Sequence, residues 1–321
     1  MFEYDRLRAR PSAFRALTGM AAAEFEALLA DFLPAQRRLR LSSGVNGEGR
    51  PRRRAPGAGA KPKLDDRHRL LLALVWLRVY PTYELLGFFF GLHKRNAQLH
   101  ARAVLAVLDT LPDFPFDRPG ADRRALSSPD QVMAAFPAVR LVIDAKEQRV
   151  NRPGASHEAQ KPYYSGKKKC HTLKTQLAVG PDGLIESIGG SHPGGATHDL
   201  TLLRGSGLLG RLGEGEAAMM DKGYVGIAKT HPGVPVVLPF KAARGRPLTG
   251  AQEEANRVIA RHRIVVEHAI AQLNRFTALR QVFRGRERNH GEHHSRAVRV
   301  VARLVNRATR RRPLKVYGAA A

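Results

Sequence analysis

The chain has 321 residues, 43% of them hydrophobic, enough to bury an ordinary core in two domains or in one domain with a large appendage. Its 54 Lys and Arg stand against 28 Asp and Glu, a formal charge of +26, and a field of that sign attracts a polyanion, most often nucleic acid. The single cysteine, Cys170, excludes an internal disulfide and a cysteine-based zinc centre. Met1-Phe2-Glu3-Tyr4 opens no apolar signal segment, and runs such as Leu70 to Leu77 are too short to span a bilayer. The expectation is a cytoplasmic, nucleoid-associated protein without membrane contact.

In chain order, residues 12–38 carry Phe14, Leu17, Phe25, Leu28, Leu29 and Phe32 at helical spacing, interrupted at Thr18-Gly19-Met20. Residues 42–63 are rich in Gly, Pro and Arg with no apolar period and are expected to be a basic linker. Its Arg50, Arg52, Arg53 and Arg54 are equally readable as phosphate or minor-groove contacts and as a solvated face. From 64 to 111 the pattern is a compact helical unit. Leu64-Asp65-Asp66 caps a helix carrying Leu70, Leu71, Leu74, Val75 and Leu77. Pro81-Thr82 caps a second, Tyr83 to Phe90, and Gly91 turns the chain into a third, about Arg95 to Leu108. Helix, glycine turn, helix is the helix-turn-helix pattern, with Lys94, Arg95, Gln98 and Arg102 as the candidate DNA readers. Residues 112–138, punctuated by Pro112, Pro115, Pro119 and Pro129, form a connector.

From 139 the period becomes that of strands. Arg140 to Ile143 is a short apolar strand ending at Asp144. Thr172 to Val179 and Leu184 to Ile188 flank the turn Pro181-Asp182-Gly183. Ala217 to Met220 is a buried strand ending at Asp221, and Val234 to Phe240 is another. A helix starts at Asp199, and a long one runs from Gln252 to Phe283 and carries Glu267. Residues 286–321 form a basic tail, helical near Ser295 to Asn306 and closed by Arg310, Arg311 and Arg312.

Strands that end on Asp present the carboxylate at the carboxyl edge of an α/β sheet, where ligands bind. Asp144, Asp221 and Glu267 together are therefore candidate catalytic and metal-binding residues of an α/β nuclease core. Three converging carboxylates suit two divalent ions that assist in-line phosphoryl transfer, with Mg²⁺ (or Mn²⁺) the hard cation for such oxygens. Taken singly, each acid also has an ordinary reading: a strand end for Asp144, a turn for Asp221, an Arg263 partner for Glu267. Asp199 is a further candidate ligand whose alternative is a helix cap. Arg149, Lys167, Lys168, Lys169, Lys174, Arg263 and Arg275 are candidate DNA contacts around this set.

These motifs, in order, resemble a known group. Leu141-Val142-Ile143-Asp144, the run Tyr163-Tyr164-Ser165-Gly166-Lys167-Lys168-Lys169 with His171 and Lys174, Gly189-Gly190-Ser191 with His198-Asp199, Asp221-Lys222-Gly223-Tyr224, and Arg263 ahead of Glu267 are similar to the DDE transposases of the insertion-sequence-five group, related to the Harbinger type. Residues 64–108 resemble the helix-turn-helix of the same group. The resemblance implies a ribonuclease-H-like catalytic core (139–285) behind an N-terminal all-α helix-turn-helix domain (1–111). It also implies Mg²⁺ or Mn²⁺ as a pair of ions, terminal inverted repeats and target DNA as double-stranded partners, and a homodimer that pairs two ends. It maps the first acid to Asp144 and the glutamate to Glu267; for the second acid strand topology favours Asp221, with Asp199 in reserve. The sequence departs from the group where Asp144-Ala145-Lys146-Glu147 replaces the usual Asp-Gly-Thr-Glu. The tyrosine ahead of Arg263 falls at Ala260, and the lysine beyond Glu267 falls at Asn274, beside Arg275. A DNA-binding regulator with an idle catalytic domain and a nuclease without strand transfer remain the alternatives.

Overall fold

The computed structural model describes residues 2–42, 63–112, 139–153, 156–214, 216–231, 235–285 and 290–311. Most of the expected basic linker, with Arg50, Arg52, Arg53 and Arg54, nearly all of the expected connector, and the end of the tail with Arg312 lie outside the described residues. The chain divides into two compact units, 1–112 with 275–279, and 113–274 with 280–321.

The first unit is helical: α1 (Tyr4–Arg8), α2 (Pro11–Thr18), α3 (Ala22–Ser42), α4 (Asp66–Val79), α5 (Tyr83–Phe90) and α6 (Lys94–Leu108). The interruption expected at Thr18-Gly19-Met20 separates α2 from α3, and Gly19 closes α2 at φ +83°. Every residue of α4 from Leu70 to Leu77 is buried, so this helix is the axis of the core. Asp65 caps it by accepting a hydrogen bond from the His68 N–H at 2.8 Å. The Thr82 hydroxyl accepts from the Leu85 N–H at 3.2 Å and starts α5. Gly91 ends α5 at φ +65°, a left-handed conformation that suits glycine. His93 then caps α6.

The second unit is built on a mixed sheet. Its strands are β1 (Val139–Arg149), β2 (Tyr164–Ser165), β3 (Cys170–Val179), β4 (Ile185–Pro193), β5 (Ala217–Met220) and β6 (Val236–Val237). β4 pairs antiparallel with β3, β3 antiparallel with β1, β1 parallel with β5, and β5 parallel with β6. β1 does not end at Asp144 as expected. Its pairing with β5 stops at Ile143 opposite Met220, while its pairing with β3 continues to Arg149 opposite Thr172. Asp144 is therefore the first residue of β1 beyond its parallel neighbour, and that places it at an open notch in the sheet.

The longer helices of the unit are α7 (Asp199–Ser206), α8 (Gly250–Asn274) and α9 (His290–Arg311). α8 stops at Asn274, short of the expected Phe283, because the chain turns at 275–276 and Phe283 joins an isolated bridge to Val150. The strand expected across 234–240 shrinks to Val236–Val237, since only Ala218 and Met219 offer it a partner.

Alternation gives the sheet two faces. On one, Leu141, Ile143, Ala178, Ala218 and Met220 form an apolar cluster with Leu203 of α7, Tyr224 and Ile227. On the other side of β1 stand Asp144, Lys146 and Gln148. Lys146 and Gln148 are buried, and Gln148 Oε1 meets His294 of α9 at 2.9 Å.

Candidate active site

Asp144 lies on β1 and Asp221 directly follows Met220 on the adjacent parallel strand. Asp221 is still extended, with φ −86° and ψ −177°, so alternation turns it, like Asp144, away from the apolar cluster that holds Ile143 and Met220. Asp221 Oδ1 accepts a hydrogen bond from the Gly223 N–H at 2.8 Å. The turn reading and the site reading of Asp221 are therefore the same geometry.

The Asp144 carboxylate accepts a hydrogen bond from the Ala145 N–H at 2.7 Å and another from Arg263 Nη2 at 3.2 Å. Burial pushes its pKa above the ordinary carboxylate range; the Ala145 amide and the Arg263 guanidinium oppose that shift, while the Asp221 and Asp199 charges add to it. The three aspartates thus share one electrostatic neighbourhood.

Asp199 enters it from the other side of the sheet, at the start of the helix whose Leu203 packs on the apolar cluster. It is not the cap of α7, as its ordinary reading had it: His198 holds the cap position and makes no side-chain cap bond. The Asp199 carboxylate pairs instead with Lys174 Nζ at 3.0 Å, and the same ammonium donates to the Thr197 carbonyl at 3.0 Å. The approach to Asp199 is packed too closely for side chains at two glycines. A Cβ on Gly194 would stand 2.0 Å from Thr172 Oγ1, and one on Gly195 2.1 Å from the Tyr164 carbonyl oxygen. These glycines let the loop dock against β3 and deliver Asp199.

Glu267 is exposed on α8, one helical turn beyond Arg263. Arg263, its expected partner, reaches Asp144 instead. The structure thus brings Asp144, Asp199 and Asp221 together with Lys174 and Arg263, and leaves Glu267 in solvent on the helix that supplies Arg263. Among the described residues no three acidic, histidine or cysteine side chains already form a ligand set for an ion. The donors nevertheless fit a hard divalent cation: they are carboxylates, with Asp144 balanced by the Arg263 guanidinium and Asp199 by the Lys174 ammonium.

The other expected contacts lie on surfaces. Arg149, Lys167, Lys168, Lys169 and Arg275 are exposed. Lys169 turns the chain between β2 and β3 with φ +53°. In the first unit Lys94 and Arg95 are exposed and Gln98 and Arg102 are half-buried. Lys94 Nζ meets Glu84 at 3.3 Å, an exposed pair of small energetic weight.

Tyr224 and Gln176 belong to the site and were not assigned a role from sequence. Tyr224 is fully buried in the apolar cluster, and Gln176 lies beside its phenol. The Asp221-Lys222-Gly223-Tyr224 motif was the available signal. Gln176 had none beyond its polar character inside an apolar strand.

Residues 143–306 match the DDE superfamily endonuclease family. The chain belongs to that DDE superfamily. A probable transposase for insertion sequence element IS702 from Microchaete diplosiphon is 33% identical over 234 residues, covering 73% of this chain and 78% of that protein. The family match spans Asp144, Asp199, Asp221 and Glu267, so the candidate site lies wholly inside the DDE endonuclease region. No helix among the described residues is long and apolar enough to cross a membrane.

Proposed function

We propose that the protein is the transposase of an insertion sequence, which binds terminal inverted repeats, cuts DNA strands and joins the freed 3′ ends to target DNA. The observation that carries this reading is the adjacency of Asp144 and Asp221 where the parallel pairing of β1 with β5 stops, with α8 bringing Arg263 onto Asp144. Three antiparallel strands followed by two parallel ones support a ribonuclease-H-like core. Within it Asp144, Asp221 and Glu267 are the catalytic acids and would hold Mg²⁺ or Mn²⁺ as a pair of ions, with Asp199 close by.

Bound there, divalent ions supply activation of the attacking oxygen and stabilisation of the leaving oxygen. The chain's own groups do the rest. Arg263 holds the Asp144 carboxylate in one orientation, and Gly223 does the same for Asp221. Glu267, one helical turn beyond Arg263 on α8, would complete the set. The exposed lysines 167–169, Arg149 and Arg275 track phosphates. The α5–Gly91–α6 segment supports a helix-turn-helix, with Lys94, Arg95, Gln98 and Arg102 facing DNA. Two ends require two active sites, so a homodimer on DNA follows from this reading.

The test uses DNA carrying the inverted repeats that flank the gene, a target plasmid and Mg²⁺. The expected result is strand breaks at the repeat ends and repeat ends covalently joined to target. Breaks without joined products would make the protein a nuclease; binding without breaks would make it a regulator.

A further inference from the structure

The last helix, α9, carries Arg296, Arg299, Arg303, Arg307 and Arg310. These positions follow one another at i, i+3 and i, i+4, which on an α-helix keeps all five inside an arc of about 80°. At about 1.5 Å per residue the row is about 21 Å long. The opposite side of the helix is apolar, with Ala297, Val298, Val301, Leu304 and Val305 buried. Arg296, Arg299, Arg303 and Arg307 are half-buried and Arg310 is exposed, the pattern of long side chains whose aliphatic stems lie along apolar surface.

The rotation of α9 about its axis is fixed by two polar clamps on β4. Near its start, Ser295 Oγ accepts a hydrogen bond from the Ser191 N–H at 2.8 Å. Near its end, Asn306 Oδ1 accepts from the Ile185 N–H at 2.9 Å and Asn306 Nδ2 donates to the Ile185 carbonyl at 2.8 Å. Ser295 and Asn306 are both buried. The helix therefore lies along β4 and cannot roll, and the arginine row stays on the side opposite the buried residues.

Glu292 is the one acid of α9, and it pairs with Arg296 at 3.1 Å. From Arg299 onward the row continues with like charges at spacings where they repel. A merely solvated helix face gains by interleaving opposite signs at those spacings. A row of one sign, made of arginine with its planar fork of donors, suits phosphate oxygens. The row holds no Asn, Gln or acidic side chain, so it lays charge along a strand and carries little base readout. We propose that the arginine row of α9 is a sequence-independent docking surface for the phosphate backbone of double-stranded DNA. The choice of partner rests on the transposase reading above; the row and its orientation do not.

The deciding experiment measures binding of the full chain to a short duplex of random sequence over a series of salt concentrations. One variant combines Arg299→Gln, Arg303→Gln and Arg307→Gln. A control combines Arg6→Gln, Arg10→Gln and Arg15→Gln, which removes the same charge from exposed positions of the helical unit. The row variant is expected to flatten the slope of log K against log salt by about 0.9 per arginine, about 2.7 in all, and the control by less than about 1. The same flattening is expected on a duplex that carries the flanking repeats. Lysine at 299, 303 and 307 keeps the charge and should keep most of the slope, which separates loss of contact from loss of fold. Flattening no larger than the control's, flattening confined to the repeat-bearing duplex, or an equal loss in the lysine variant overturns the proposal. A wild type that binds no duplex at all overturns the transposase reading together with this surface, whereas salt-dependent binding that the row variant leaves unchanged overturns the surface alone.

Discussion

In the helical unit α4 buries an unbroken apolar stretch from Leu70 to Leu77 and its helices are set by caps only a few residues away. In the α/β unit the sheet and α9 bury Lys146, Gln148, Thr175, Glu186 and His294. There a chain of side-chain contacts runs from Thr175 to Ser191 at 2.8 Å, from Ser191 to His294 at 2.7 Å and from His294 to Gln148 at 2.9 Å. The first interior is held mainly by non-directional burial of apolar side chains. The second depends on groups that must keep one protonation state and one geometry.

The comparison can be broken by experiment. Trp76, the single tryptophan, is buried in α4, so its fluorescence reports on the helical unit alone. Leu74→Ala deletes a fully buried side chain there and should cost about 2–5 kcal/mol, measured as a lower denaturant midpoint by Trp76 fluorescence. The loss should be the same at pH 5 and pH 8; a pH-dependent loss would show titratable support that the apolar core does not contain.

His294 provides the opposite case. Burial, then the positive charges of Lys146 and His293, hold its imidazole down to about 3. Its folded pKa lies below the usual unfolded value of about 6.5, so its contribution is full above that value and is lost as pH falls from there towards 3. Unfolding in that window takes up about one proton at this site. Far-UV circular dichroism of the α/β unit should show that acid slope, and His294→Gln should flatten it. An unchanged slope would mean that other groups control acid stability.

The smallest effect is local to the first unit. Thr82→Ala removes the cap of α5 and should cost about 1 kcal/mol by the same fluorescence assay. No measurable change would mean that tertiary packing alone holds α5.

The same contrast governs what could be seen in the sequence. Asp65, Thr82 and Gly91 act on backbone a few residues away, so α4, α5 and the turn into α6 were readable to within a residue or two. Asp144, Asp221 and Asp199 were readable as carboxylates beside apolar strands or at a helix start. What was not readable came from long-range pairing. β1 continues past Asp144 because β3 does, and the His294 contact to Gln148 joins residues 146 positions apart. The early end of α8 and the shortness of β6 reflect partners that a local period does not encode. The side of the sheet from which Asp199 enters the site also follows only from which residues pack beneath α7.

The central claim is that Asp144, Asp221 and Glu267 form one metal-dependent DNA-cutting site. It is tested most directly by Mg²⁺-dependent nicking of DNA bearing the flanking repeats, comparing wild type with Asp144→Asn, Asp221→Asn and Glu267→Gln at equal end binding. Each variant should bind the ends normally and lose nicking by about a thousandfold or more. Full nicking by any one of them would contradict the assignment of that residue, and full nicking by all three would remove the site itself.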